Sequence, residues 1–328
     1  MVLSSTTQLD SATRLDQDGA AIPMKVTAVG RTDVGLQREH NEDCFLILEK
    51  HGLFVVADGM GGHQAGDVAS KMAADAMASF FETTENDDAT WPFPFDPKLS
   101  AEENRLQASI MTANKQIFNA SISDRSVHGM GTTVVGIVCS ADNGAVYVAH
   151  VGDSRAYRLR DGDLLRLTED HSLVNDYLAM MPNLPKEATD LLPKNVITRA
   201  LGMQDVVTVD LAKEIAQPGD VYLLCSDGLC GQVEDRHIAE VCNGHAGDMA
   251  RCADALVKLA NDAGGDDNVT VVLVRVTEAA GAETGREHRA KPTEHPSGAT
   301  PPESARREGD QDEPPSEPPR STEDTPGS

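Results

Sequence analysis

The chain has 328 residues and a net charge of −25, from 53 acidic and 28 basic side chains, with 40% hydrophobic and only 4% aromatic residues. So acidic a surface argues against general nucleic-acid binding, which needs a basic face to release counterions. No run approaches the roughly 18 consecutive apolar residues of a membrane helix, and the opening stretch MVLSSTTQLDSATRLDQDG lacks the basic start and apolar core of a secretory leader. No membrane contact is therefore expected, and the cytoplasm is the expected location.

Taken in chain order, residues 1–23 are small and polar and read as a flexible extension, and residues 24–277 carry the pattern of a folded domain. Leu46–Ala57 gives a strand pair broken at His51-Gly52. From Ala65 to Phe81 the apolar residues Val68, Met72, Ala76 and Phe80 recur at helical spacing. Ser100 followed by Glu103 forms a capping box that opens a second helix, with Leu106, Ile110, Ala113 and Ile117 along one face.

A strand-rich block follows. Thr132–Cys139 and Ala145–Val151 flank Asp142-Asn143-Gly144, and Arg155–Arg160 and Leu164–Leu167 flank the two-residue hairpin signal Asp161-Gly162. Val206–Leu211 and Val221–Ser226 read as strands, Met249–Ala260 as a helix, and Val269–Val276 as the last strand. Hairpins with helices grouped in two places favour an α+β antiparallel layer fold over a βαβ sheet. Residues 278–328 hold nine of the 17 prolines among Glu, Arg, Ser and Thr, a composition that cannot offset its ordering entropy, so an acidic, disordered tail is expected. The six cysteines, at 44, 139, 225, 230, 242 and 252, form no CxxC pair and sit in apolar settings, as buried thiols do.

Four apolar strands run into aspartates: Phe54-Val-Val-Ala-Asp58-Gly59, Val148-Ala-His-Val-Gly-Asp153, Tyr222-Leu-Leu-Cys-Ser-Asp227-Gly228, and Asp266-Asp267-Asn268 opening the last strand. One Asp-Gly is an ordinary turn former. Four such strand ends, if they converge, would crowd carboxylates that either raise one another's pKa or bind a cation. All-oxygen donors without a Cys or His pattern point to Mg²⁺ or Mn²⁺ rather than zinc, and Gly59 leaves its carbonyl open to close approach. The segment Gly35-Leu-Gln-Arg38-Glu-His-Asn-Glu42-Asp43 adds a guanidinium suited to bidentate capture of phosphate.

These stretches, with Val56-Ala-Asp-Gly-Met-Gly-Gly-His63, Gly129-Met-Gly-Thr-Thr133, His150-Val-Gly-Asp-Ser-Arg-Ala-Tyr157, Leu167-Thr-Glu-Asp-His-Ser172, Ile197-Thr-Arg-Ala-Leu-Gly202 and Asp267-Asn-Val-Thr270, together resemble the metal-dependent serine/threonine protein phosphatases of the 2C type, in their bacterial form. The resemblance covers residues 24–277 and implies a two-layer antiparallel β-sandwich flanked by helix pairs, an α/β/β/α arrangement with metals in a cleft at one end. It implies that Asp58 bridges two core Mn²⁺ or Mg²⁺ ions, that the Gly59 carbonyl joins the second, and that Asp227 and Asp267 complete the first. It implies further that Asp153, with Asp227, holds a weaker third ion, that Arg38 binds phosphate, and that Glu42 and Asp43 orient metal-bound waters. The expected reaction is hydrolysis of phosphoserine and phosphothreonine in proteins by direct attack of a metal-activated water, opposing a serine/threonine kinase, in a monomer. Met60 stands where animal members carry a histidine, so the acid that protonates the leaving group is open, with His63 a candidate. Residues 172–196 resemble the flap beside the active site. Two other readings stand beside this one: a regulator phosphatase with a single anti-sigma-type substrate, and an inactive phosphoprotein-binding relative.

Overall fold

The computed structural model describes residues 24–61, 65–85, 91–182, 186–189, 192–193 and 196–278, and the structural statements below concern these. His63, residues 1–23 and, beyond its first residue, the Pro-rich tail lie outside them.

In chain order the elements are β1 (Met24–Asp33), β2 (Asp43–Leu48), β3 (Leu53–Met60), α1 (Ala65–Thr83), α2 (Ala101–Ser123), β4 (Gly131–Thr132), β5 (Val134–Cys139), β6 (Ala145–Val151), β7 (Arg155–Arg160), β8 (Asp163–Arg166), α3 (Leu173–Met180), α4 (Lys186–Thr189), β9 (Asp210–Ile215), β10 (Val221–Cys225), α5 (Asp227–Cys230), α6 (Asp235–Gly244), α7 (Met249–Asp262) and β11 (Val269–Glu278). One sheet runs β1-β11-β10-β7-β8 and the other β2-β3-β5-β6-β9, with β4 added to β3. Every strand pairing is antiparallel.

The period-2 alternation of each strand builds three apolar layers. Phe54, Val56, Ile137 and Val148 of one sheet meet Tyr222, Leu224, Val272 and Val274 of the other between the sheets. Leu53, Val55, Val138 and Tyr147 face outward against α1 and α2, while Leu223, Cys225, Val271 and Leu273 face α5, α6 and α7. This is the expected α/β/β/α sandwich. Each fully buried large side chain contributes about 1.5–3 kcal/mol of transfer free energy.

Local chemistry explains several elements. At the start of α2 the Ser100 hydroxyl accepts from the Glu103 amide while the Glu103 carboxylate accepts from the Ser100 amide, so the capping box forms, and Leu106, Ile110, Ala113 and Ile117 are all buried below it. The β7–β8 hairpin turns at Asp161 and Gly162, whose φ values are +51° and +90°. The six cysteines are unpaired, five of them buried.

The structure corrects some expectations. On α1 Ala76 and Phe80 are buried and Met72 packs partly buried against the core, as the spacing predicts, but Val68 is exposed, and the buried face also takes in Met77 together with Ala69 and Ala73, whose small side chains let the helix lie close on the sheet. The strand expected at Val206–Leu211 lies four residues later, at Asp210–Ile215. Val206 is 72% exposed, and β9 is an edge strand on which Lys213 is exposed while Glu214, on the opposite face, pairs with Arg158 of β7. The segment expected as one strand, Thr132–Cys139, breaks at Thr133 into β4 and β5.

Candidate metal centre

Strand direction explains why residues distant in sequence meet. β3 and β6 run the same way, each antiparallel to β5, so the residues that follow them emerge at one end of the sheet. Asp43, at the start of β2, stands opposite Asp58 in the β2–β3 register. In the other sheet β10 ends where β11 begins, which brings Asp227, the first residue of α5, level with Asp267. Asp58 itself sits inside β3: the strand continues because Gly59 and Met60 pair with β4.

Two like charges opposite each other in a register are unfavourable, and here three further aspartates join them. Burial pushes the Asp58 carboxyl well above the usual carboxylate range, and Asp43, Asp227 and Asp153 add to the effect. Asp58 and Asp227 share a hydrogen bond between their carboxyls. Burial also raises Asp43 to about 7, offset in part by hydrogen bonds from Ser226 and Thr270, and raises Asp153 to about 7, with Asp227 and Asp170 contributing. Asp227 is raised by burial and by Asp267. One oxygen of Asp43 and one of Asp153, Oδ1 in each, are buried without a hydrogen-bond partner. A buried carboxylate oxygen left unpaired costs several kcal/mol unless a cation or proton meets it. An all-oxygen donor set with orphaned atoms and mutually raised pKa values fits a hard divalent cation.

The backbone around the cluster leaves no slack. A Cβ on Gly59 would lie 2.1 Å from the Gly66 carbonyl, and one on Gly228 would lie 2.0 Å from the Asn268 carbonyl. The Glu42 carboxylate accepts from the Gly66 amide in the first turn of α1 and is raised chiefly by its own burial, while the Gly59 amide donates to the Glu42 carbonyl at 3.1 Å. Arg38 is half-exposed at the rim, where its Nη2 donates to Asp267 Oδ2 at 2.7 Å and its Nε to the Asp266 carbonyl at 3.3 Å. Arg38, Glu42, Asp43, Asp58, Gly59, Asp153, Asp227 and Asp267 are thus gathered as the sequence suggests.

Sequence reasoning assigned no role to the groups that hold them. Asn268 donates from Nδ2 to the carbonyls of Val34 and His40 at 2.9 Å, and its Oδ1 accepts from the Glu42 amide at 2.7 Å. The Ser226 hydroxyl donates to Asp43 Oδ2 at 2.8 Å while accepting from the Thr270 amide at 2.9 Å. The Thr133 amide donates to the Asp58 carbonyl at 2.8 Å, and its hydroxyl pairs with that of Ser154 at 2.7 Å. The available signal was their place inside the motifs Asp267-Asn-Val-Thr270, Tyr222-Leu-Leu-Cys-Ser-Asp227 and Gly129-Met-Gly-Thr-Thr133. Within the segment 172–196, Tyr177, Met180 and Met181 face solvent rather than a core.

Comparison with known proteins follows the same line. The family model described as protein phosphatase 2C matches residues 37–269. The serine/threonine phosphatase stp of Listeria innocua serovar 6a is 39% identical over 249 residues, which cover 74% of this chain and 93% of that protein. The structure of the Mycobacterium tuberculosis serine/threonine phosphatase PstP/Ppp is similar with a TM-score of 0.65 at 34% identity, over 77% of this chain and 99% of that one. The PstP catalytic domain in complex with two manganese ions gives a TM-score of 0.64 at 34% identity, over 78% and 100%.

Proposed function

Because the chain belongs to the protein phosphatase 2C family and is a metal-dependent protein-serine/threonine phosphatase, we propose that its aspartate cluster holds two core Mn²⁺ or Mg²⁺ ions and a third, weaker one. In this reading Asp58 would serve both core ions, the Gly59 carbonyl the second, Asp227 and Asp267 the first, and Asp153 with Asp227 the third. The observation that carries this reading is the convergence of Asp43, Asp58, Asp153 and Asp227 with orphaned carboxylate oxygens.

Bound divalent cations lower the pKa of coordinated water and neutralise charge on a phosphoryl group. The chain's own residues do the rest. Glu42 and Asp43 would orient the waters that the cations hold. Without cations the same carboxylates would repel a phosphate dianion. Arg38, half-exposed and anchored by Asp267, presents its guanidinium to the phosphoryl oxygens and stabilises the charge that develops on them. The leaving serine or threonine oxygen needs a proton, which Met60 cannot give; His63 remains the candidate donor.

Phosphorylated proteins are the substrates, and a partner serine/threonine kinase and its targets are the natural set, acted on by a monomer in the cytoplasm. Among the described residues no helix is long and apolar enough to cross a membrane. The two other readings, a dedicated regulator phosphatase and an inactive binding relative, find no support in relatives named as serine/threonine phosphatases. The test is release of phosphate from a phosphothreonine peptide by the full chain. Turnover should require added Mn²⁺ or Mg²⁺ and stop with chelator. Asp58→Asn should lose both turnover and Mn²⁺ binding by calorimetry; intact Mn²⁺ binding in that variant would overturn the ligand assignment.

A further inference from the structure

Beside the aspartates lies a second buried cluster that the mechanism does not use. His150, on β6, and His171, just before α3, stack with ring centroids 4.6 Å apart and planes 18° from parallel. Asp210, at the start of β9, stands 3.3 Å from His171 Nε2 and pairs with Arg199 at 2.6 Å. Donor atoms of the two histidines and Asp210 come within 4.8 Å of one another, yet their protons argue against a metal. His150 Nε2 lies 2.7 Å from the Glu169 carbonyl, which can only accept, so that nitrogen carries hydrogen. His171 Nδ1 accepts from the Gly152 amide at 2.9 Å. Burial, then the neighbouring His150, push the His171 ring down in pKa, so it is neutral and its one proton sits on Nε2. Stacked rings also point their in-plane lone pairs side by side rather than at one point, and Arg199 already occupies the carboxylate.

What remains is the bond to Gly152. This residue has φ +114°, and a Cβ on it would lie 2.5 Å from Thr133 Cβ, so the turn it makes is tight and open only to glycine. His171 grips it from both sides: Nδ1 accepts from the Gly152 amide, and the His171 amide donates to the Gly152 carbonyl at 2.9 Å. The next residue is Asp153, whose Oδ1 is buried without a partner. By contrast Nε2 of His171 is buried without a well-formed hydrogen bond, so its contact with Asp210 is the looser of the two. The His171 carbonyl also accepts from the Thr198 amide at 2.9 Å, and Leu173 bonds to Val196, so the two arms of the flap are joined at this same residue.

We propose that His171 is a positioning residue which, through Nδ1, holds the Gly152 turn so that Asp153 is aimed at the weaker cation site, and which ties that aim to the root of the flap. The inference rests on the reading of Asp153 as a ligand of the weaker ion. Groups that orient metal ligands in this way carry about 10–100-fold in metal affinity.

Two amide substitutions separate the nitrogens. In His171→Asn the side-chain oxygen takes the place of Nδ1 and can still accept from Gly152. In His171→Gln the amide reaches the place of Nε2, beside Asp210, and leaves the Gly152 amide unpaired. Mn²⁺ binding to the full chain is measured by calorimetry, alongside the Mn²⁺ dependence of phosphopeptide hydrolysis. His171→Gln should weaken the low-affinity step about tenfold or more with the tight steps unchanged, and His171→Asn should restore it to within about threefold of the parent. If Asn is as damaging as Gln, if Gln has no effect, or if tight and weak steps fall together, the positioning role is wrong. Asp153→Asn in the same titration should abolish the weak step. Should that step survive in Asp153→Asn, the reading of Asp153 is what fails.

Discussion

The cluster makes Asp153→Asn a substitution that should strengthen the metal-free fold while weakening the enzyme. In the folded chain the Asp153 carboxyl is pushed up to about 7 from an ordinary 3.8, by burial first and then by Asp227 and Asp170, with Arg155 opposing. A carboxyl whose folded pKa is raised binds its proton more tightly folded than unfolded. Its contribution to stability is therefore fully present below pH 3.8 and is lost as pH rises through about 7. At 1.36 kcal/mol per pH unit, the gap of about three units corresponds to about 4 kcal/mol lost from the metal-free protein by pH 8. Part of that field is shared with Asp227, so a neutral asparagine should recover about 2–4 kcal/mol at pH 8 and nothing below pH 4. Urea unfolding with chelator present, at pH 4, 6 and 8, reads the difference directly. A variant no more stable than the parent at pH 8, or one whose advantage does not grow with pH, would refute the electrostatic reasoning.

Three other substitutions test separate links. Arg38→Ala removes charge-assisted hydrogen bonds to phosphate worth about 1.5–3 kcal/mol and should lower kcat/KM by about 10–100-fold; Mn²⁺ affinity by calorimetry should be unchanged, and a loss there would mean that Arg38 serves the aspartates instead. Gly228→Ala drives a Cβ to within 2.0 Å of the Asn268 carbonyl, a backbone clash that should cost about 1–3 kcal/mol or more and lower the melting temperature of the metal-free chain. Asn268→Ala strands the Glu42 amide and the carbonyls of Val34 and His40, for a loss of about 2–4 kcal/mol at about 1 kcal/mol per bond plus desolvation. Because those bonds hold the loop bearing Arg38, the KM for phosphopeptide should rise as well, and an unchanged KM would show that the loop holds itself.

What the sequence disclosed was what short-range chemistry decides. The Ser100–Glu103 box and the Asp161-Gly162 turn depend on residues within a few positions, and both form. Asp58, Asp153, Asp227 and Asp267 could be picked out because each stands at or beside the end of a strongly apolar strand, and antiparallel pairing then settles which ends coincide. On α1 the spacing found Ala76 and Phe80 but took in Val68, which is exposed, and passed over Ala69 and Ala73, because alanine gives little contrast to a periodicity argument. Helix α6 was missed because only Ile238 and Cys242 are buried, with Val241 partly so, in a polar stretch. The continuation of β3 past Asp58 needs β4, seventy residues on, and the roles of Asn268, Ser226 and His171 exist only through partners brought from far along the chain.

The five aspartates are divided between the layers. Asp43, Asp58 and Asp153 belong to the sheet of β2, β3 and β6, while Asp227 and Asp267 belong to the sheet of β10 and β11. Elsewhere the two sheets are joined by interlocking Phe, Val, Tyr and Leu side chains; at this end their opposing faces carry like charges. A cation seated there is a rivet as well as a reagent. It would add to the bonds that already tie the sheets at that end, Ser226 to Asp43 and Asn268 to the Glu42 amide, and relieve the repulsion that works against them. Hydrogen exchange at the ends of β3 and β10 should therefore slow in concert as metal is added, so that the tightening of the sandwich reports the loading of the site.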